Sequence, residues 1–165
     1  MNARSHQTVL ILSGKDVRVD IQHKCAVDVL NESDFCTQIG TIENYAAEEF
    51  GALWVPGGVE IRYFLNITSM AGDRVVPDVR DTIRFFCNSR RPIVAPCMAL
   101  PAVLESIKGS VEMSAINKAE AIGDLEVYPL INVITTARPL LGKPYSEIRR
   151  VFEEILGLLA RKKNY

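Results

Sequence analysis

The chain has 165 residues, of which 24% are charged and 48% hydrophobic, with a formal net charge of −1. That is the composition of one globular domain long enough for a substantial core. The near-neutral balance excludes bulk attraction to nucleic acid or an anionic membrane surface, and neither is expected as a partner.

The opening residues, Met1-Asn2-Ala3-Arg4-Ser5-His6-Gln7, are polar. The apolar run Val9-Leu10-Ile11-Leu12 is too short for a signal peptide's apolar region or a membrane span, so a cytoplasmic chain is expected. Residues 8–12 read as a strand that ends in the turn Ser13-Gly14. Over residues 20–30, Ile21, Cys25 and Val29 recur at helical spacing. After the polar turn Asn31-Glu32-Ser33-Asp34, residues 35–39 form a candidate strand, and residues 45–50 a short helix ended by Gly51. The run Ala52-Leu53-Trp54-Val55 is a strand stopped by Pro56-Gly57-Gly58.

Pro77 suits a first helical turn, and Val79, Ile83, Phe86 and Cys87 continue that helix along one face until Asn88-Ser89. The run Arg91-Pro92-Ile93-Val94-Ala95-Pro96 then reads as a strand that breaks at Cys97 into a helix over residues 99–107, with Gly109 as its stop. Residues 111–113 are expected as a short strand and residues 117–122 as a short helix before Gly123. Residues 127–130 and 131–136 read as strand material. In the last helix, Ile148, Val151, Phe152, Ile155, Leu156 and Leu159 form one apolar stripe. The cluster Arg161-Lys162-Lys163 complements that helix's C-terminal dipole.

Strands alternating with helices predict an α/β fold: a three-layer sandwich, flavodoxin-like, whose mostly parallel sheet carries helices on both faces. No repeat or linker divides residues 1–165, so one domain is expected. In such sheets ligands bind beyond the carboxyl ends of the strands, where Ser13-Gly14, Pro56-Gly57-Gly58 and Pro96-Cys97 converge.

Cys97 makes the strongest chemical suggestion. A thiol at a strand-to-helix turn lies beside the positive end of a helix dipole, which favours the thiolate and presents the sulfur to small molecules. Cys25 and Cys87 sit on helical apolar stripes and Cys36 in a strand, so these three are read as core. The four cysteines contain no Cys-x-x-Cys pair and the only histidines are His6 and His23, so neither a zinc site nor a disulfide framework is expected. Phosphate-loop and dinucleotide glycine spacings are missing, and no cofactor is expected. Trp54 and the Phe85-Phe86 pair are core or interface candidates.

Three segments together carry a family resemblance: Leu10-Ile11-Leu12-Ser13-Gly14, Ala52-Leu53-Trp54-Val55-Pro56-Gly57-Gly58, and Arg91-Pro92-Ile93-Val94-Ala95-Pro96-Cys97-Met98-Ala99. The chain resembles the PfpI-type class I glutamine amidotransferase-like superfamily, which includes the parkinsonism-associated deglycase. The Leu-Ser-Gly opening and Val133-Ile134-Thr135-Thr136-Ala137 are most similar to its ElbB branch, the isoprenoid-biosynthesis glyoxalase-like proteins.

The resemblance implies an elbow nucleophile at Cys97 and an oxyanion cradle from the backbone N–H groups of Gly57, Gly58 and Met98. It also implies glyoxalase-, deglycase- or hydrolase-like chemistry on small carbonyl compounds, reversible thiol oxidation and a homodimer, with Tyr63-Phe64-Leu65 as a candidate contact surface. Two departures weaken the catalytic apparatus. The family's glutamate, which hands a proton to and from the cysteine, aligns with Gln22; an amide donates an N–H but cannot shuttle a proton. Asp20 substitutes only if the preceding loop changes length. The histidine that many members place after the elbow helix is missing, and His23, adjacent to Gln22, points about 100° away from it on a helix. The chain is also shortened between Ile39 and Ala52, where ElbB-like relatives carry a longer insert beside the pocket. Two functions stay open at this point: weak carbonyl chemistry or thiol sensing at Cys97, and a catalytically degenerate binding or structural subunit.

Overall fold

The computed structural model describes residues 8–13, 21–33, 35–41, 47–57 and 77–162. Strands β1 (Thr8–Ser13), β2 (Cys36–Thr41), β3 (Ala52–Trp54), β4 (Ile93–Val94), β5 (Glu120–Ile122), β6 (Leu125–Tyr128) and β7 (Val133–Thr136) form one sheet, in the order β2-β1-β3-β4-β7-β6-β5. β2, β1, β3, β4 and β7 run parallel, while β6 and β5 add an antiparallel flank.

The parallel strands read as unbroken apolar runs because both faces of the sheet are covered. Successive side chains point to opposite faces. Leu10, Leu12, Leu53, Ile93 and Val133 enter one core, and Val9, Ile11, Trp54, Val94 and Ile134 enter the other. Helices α2 (Pro77–Asn88) and α3 (Ala99–Ile107) cover the first face, where Arg84 Nε donates to Ser106 O at 2.7 Å. Helices α1 (Ile21–Asn31) and α5 (Tyr145–Lys162) cover the second. There Trp54 meets Phe152 edge-to-face at 5.0 Å, and the stripe residues Ile148, Val151, Phe152, Ile155 and Leu159 are buried. A polar seam closes the outside of that pair: Tyr145 Oη donates to Asp28 at 2.6 Å, and Arg149 pairs with Glu32 and Glu153.

Four local expectations change. Residues 47–49 form a 3₁₀ turn where a short helix was expected over residues 45–50, and residues 42–46 lie outside the described residues. Residues 111–113 are not a strand: Val111 makes only an isolated bridge to Lys108, and Met113 begins helix α4 (Met113–Asn117). Residues 120–122 are a strand rather than helix, because Gly123 at φ +59° turns the chain into a hairpin with β6 instead of stopping a helix. Residues 129–132 form the loop of the next hairpin, with Ile131 N–H bonded back to Tyr128 O at 3.3 Å. No helix among the described residues is long and apolar enough to cross a membrane.

Candidate functional site

At the carboxyl end of β4 the chain passes through Ala95 and Pro96 and turns at Cys97, whose φ is +55°, before α3 begins at Ala99. A side chain in this left-handed region costs about 1–2 kcal/mol, so the surroundings must impose it. They do so from the neighbouring strand. Thr136 Oγ1 accepts the Cys97 N–H at 3.0 Å, and Thr135 Oγ1 donates to Ala95 O at 2.6 Å. The turn is closed on the helix side by Ala99 N–H to Pro96 O at 3.1 Å. Cys97 is half-buried at the amino end of α3.

Gly57, just beyond β3, is buried against this elbow. A Cβ on it would lie 1.9 Å from Pro96 O and 3.2 Å from Gln22 Oε1. The missing side chain is what lets the β3 exit touch the elbow peptide, and the same contact fixes where Gln22 sits. Gln22 is 4% exposed in the first turn of α1, so its amide is packed beside the elbow and not held in solvent. Met98 follows Cys97 with its side chain exposed. The Cys97 N–H is already taken by Thr136 Oγ1.

The fold therefore brings Cys97, Met98, Gly57 and Gln22 together. Gly58, Asp20, His6 and Tyr63-Phe64-Leu65 fall outside the described residues. His23 is buried, as is Cys25, whose thiol burial pushes up to about 12; Cys87 is likewise buried and raised by desolvation. Of the cysteines whose side chains are described, Cys97 alone is not buried. Among the described residues no group of three or more His, Cys, Asp or Glu side chains is placed to hold a metal ion.

Two cavities open at opposite edges of the sheet. One of about 170 Å³ at the carboxyl edge is lined by Thr136, Arg138 and the first turns of α5. The other, about 630 Å³, lies at the amino edge between Cys87, Arg90, Arg91 and Asn132. Sequence reasoning missed Thr135, Thr136 and Arg138 as site residues. The available signal was their place at, and for Arg138 just beyond, the carboxyl end of a strand that a parallel sheet sets beside the Cys97 strand.

A mostly parallel sheet with helices on both faces, a glycine close-packed on a strand–cysteine–helix elbow, and an antiparallel flank together invite comparison with solved structures. Over 94% of its length the chain superposes on 99% of an isoprenoid biosynthesis protein with amidotransferase-like domain from Ehrlichia chaffeensis, with a TM-score of 0.76 at 12% identity. The chain has the DJ-1/ThiJ/PfpI fold. A ThiJ/PfpI domain protein from Brachyspira murdochii matches the same fold at TM-score 0.62 and 8% identity, over 94% of this chain and 97% of that one. Drosophila melanogaster DJ-1beta matches at 0.59 and 15%, over 93% and 90%. No family model and no curated protein sequence matches the chain. The DJ-1/ThiJ/PfpI fold is thus adopted here by a sequence only 8% to 15% identical to these structures, and its site must be read from its own residues.

Proposed function

We propose that the chain is a small thiol protein of the ElbB-like branch, in which Cys97 adds to small reactive carbonyl compounds or is reversibly oxidised. The observation that carries this is the left-handed Cys97, held by Thr136 at the mouth of the sheet and not buried like Cys25 and Cys87. A strained backbone clamped from outside the turn is a common property of functional positions. The similarity to the Ehrlichia isoprenoid biosynthesis protein supports the branch.

In the addition, the Cys97 thiolate forms an S–C bond to the carbonyl carbon. The C=O π pair moves to oxygen, which takes a proton from water to leave a hemithioacetal. The Met98 N–H, with the backbone turn at Gly57, faces the developing oxyanion. Gln22 orients the sulfur by donating an amide N–H, but it cannot carry a proton between substrate carbons. Addition and oxidation are consequently favoured over fast isomerisation.

The buried Gln22, in place of a carboxylate, supports a second reading: a catalytically degenerate subunit, working as a homodimer or as a binding partner. One experiment separates the two. The protein is incubated with methylglyoxal and, separately, with hydrogen peroxide as oxidant; lactate is followed in solution and the Cys97 adduct or sulfenate by mass spectrometry, and Cys97→Ser serves as control. A Cys97-dependent adduct, oxidation product or lactate is the expected result. Identical behaviour of the two proteins would leave the subunit reading alone.

A further inference from the structure

The carboxyl-edge cavity carries an unbalanced charge. Its lining includes two carboxylates, Asp124 and Glu147, and three cations, Arg138, Lys143 and Arg150. Two cations are matched: Arg150 donates to Asp124 at 2.6 Å and lies 3.7 Å from Glu154, just outside the lining, and Lys143 Nζ lies 3.9 Å from Glu147. Arg138 makes no hydrogen bond or ion pair among the described residues. Its charge reaches the cavity nonetheless: the Asp124 carboxyl is held below its ordinary range first by the Arg150 hydrogen bond and charge, and then by Arg138.

The cavity also adjoins the elbow. Thr136 lines it, and the Oγ1 of that residue accepts the Cys97 N–H. Leu140 lines it as well and belongs to the apolar cluster against which Cys97 packs. Thr136 therefore touches the Cys97 backbone and lines the same cavity as Arg138, an exposed guanidinium that has no direct ion-pair partner among the described residues.

We infer that this cavity is an anion subsite of the Cys97 centre, taking the carboxylate or phosphate arm of a small carbonyl compound, with Arg138 as its charge partner. The inference rests on the reading of Cys97 as the addition centre. At about 170 Å³ the cavity is well below the roughly 300–1,000 Å³ of pockets for drug-sized ligands, so it suits an anionic group and its nearest carbons, not a ring or nucleotide. The planar guanidinium matches either anion in a two-point contact. Of the two chemistries set out above, the subsite selects substrates for the addition: the S–C bond forms at the carbonyl carbon while the anionic arm stays unchanged beside Arg138. A neutral carbonyl compound reaches the same thiol without that contact.

The test compares alkylation of Cys97 by iodoacetate and by iodoacetamide, which carry the same leaving group and differ in the anion. Labelling of the intact chain is followed at the Cys97 peptide by mass spectrometry, with 2-mercaptoethanol, which carries no charge besides its thiolate, as the reference thiol. The expected iodoacetate-to-iodoacetamide ratio exceeds that of 2-mercaptoethanol. It falls by roughly threefold in Arg138→Gln, the scale of a partly exposed ion pair, and is largely kept in Arg138→Lys. Raising salt lowers the wild-type ratio, an arm that needs no variant to fold. Inorganic phosphate and acetate, added as competitors, identify the preferred arm by which of them slows iodoacetate labelling more. A ratio equal to that of 2-mercaptoethanol, or unmoved by salt and by both Arg138 substitutions, overturns the subsite and leaves Cys97 chemistry standing. A Cys97 that neither reagent labels overturns the addition centre itself.

Discussion

The two edges of the sheet each hold a thiol, a cavity and a non-glycine residue with positive φ, yet only one reads as a reaction centre. At the amino edge, Arg90 at φ +58° closes helix α2, with Arg90 N–H bonded to Cys87 O at 3.1 Å and Arg91 N–H to Phe86 O at 2.9 Å. Asn132 at φ +56° ends a hairpin loop, and its amide donates to Arg90 O at 2.9 Å. Both conformations are explained by local turn chemistry. Cys87, beside them, is buried in the last turn of α2, where desolvation and the negative end of the dipole disfavour a thiolate. At the carboxyl edge, Cys97 ends no helix and closes no hairpin; its φ is imposed by a strand far along the chain. Cavity size points the wrong way, since the larger one belongs to the amino edge. What distinguishes the carboxyl edge is a left-handed turn clamped by a distant strand, next to the positive end of a helix.

The contrast can be broken most forcefully at Gly57. Replacing it with alanine drives a Cβ into the Pro96 carbonyl and is expected to cost about 3 kcal/mol of stability in urea unfolding, with Cys97 labelling altered in whatever folds. A smaller cost than about 1 kcal/mol would mean that the elbow is soft. Thr136→Val comes next. It removes the acceptor for the Cys97 N–H and should destabilise by about 1–2 kcal/mol, slowing iodoacetamide labelling of Cys97, while Thr136→Ser restores both. Unchanged labelling in the valine variant would separate the strain from the reactivity. The smallest effect is expected at the amino edge. Arg90→Gly relieves a left-handed side chain at a helix end and should stabilise by about 1 kcal/mol, with Cys97 labelling unaltered. Destabilisation there would show that the Arg90 side chain carries a role that its backbone does not.

Much of this contrast was legible in the chain before folding. Apolar runs at 9–12, 52–55 and 93–95 announce a sheet covered on both faces, and the Pro96-Cys97 break places Cys97 at the strand-to-helix turn where the structure has it. Gly57 was readable as a close approach, though not that its neighbour would be Pro96 O. Short elements between residues 109 and 132 were misread because a glycine stop and a glycine turn have the same composition; only pairing with β6 decides between them. Thr135 and Thr136 carried no local signal as clamps. Their partners lie 40 and 39 residues upstream, and hydrogen bonds of that span follow from strand order, which no window of the sequence contains. Arg138 was hidden for a related reason, since its significance comes from the pairing of Arg150 with Asp124 and of Lys143 with Glu147 around it.

The clamp from Thr135 and Thr136 also has a bearing on when the elbow backbone acquires its geometry. Synthesis delivers the elbow long before β7, and domains assemble from the amino end as they emerge. A nascent chain that has reached α3 already holds Cys97 but lacks both threonines, so nothing yet opposes relaxation of its backbone out of the left-handed region. The clamped geometry arrives only when the fifth parallel strand docks against β4. Completion of the elbow is thereby tied to near-completion of the sheet, and a chain truncated before β7 carries Cys97 without its clamp.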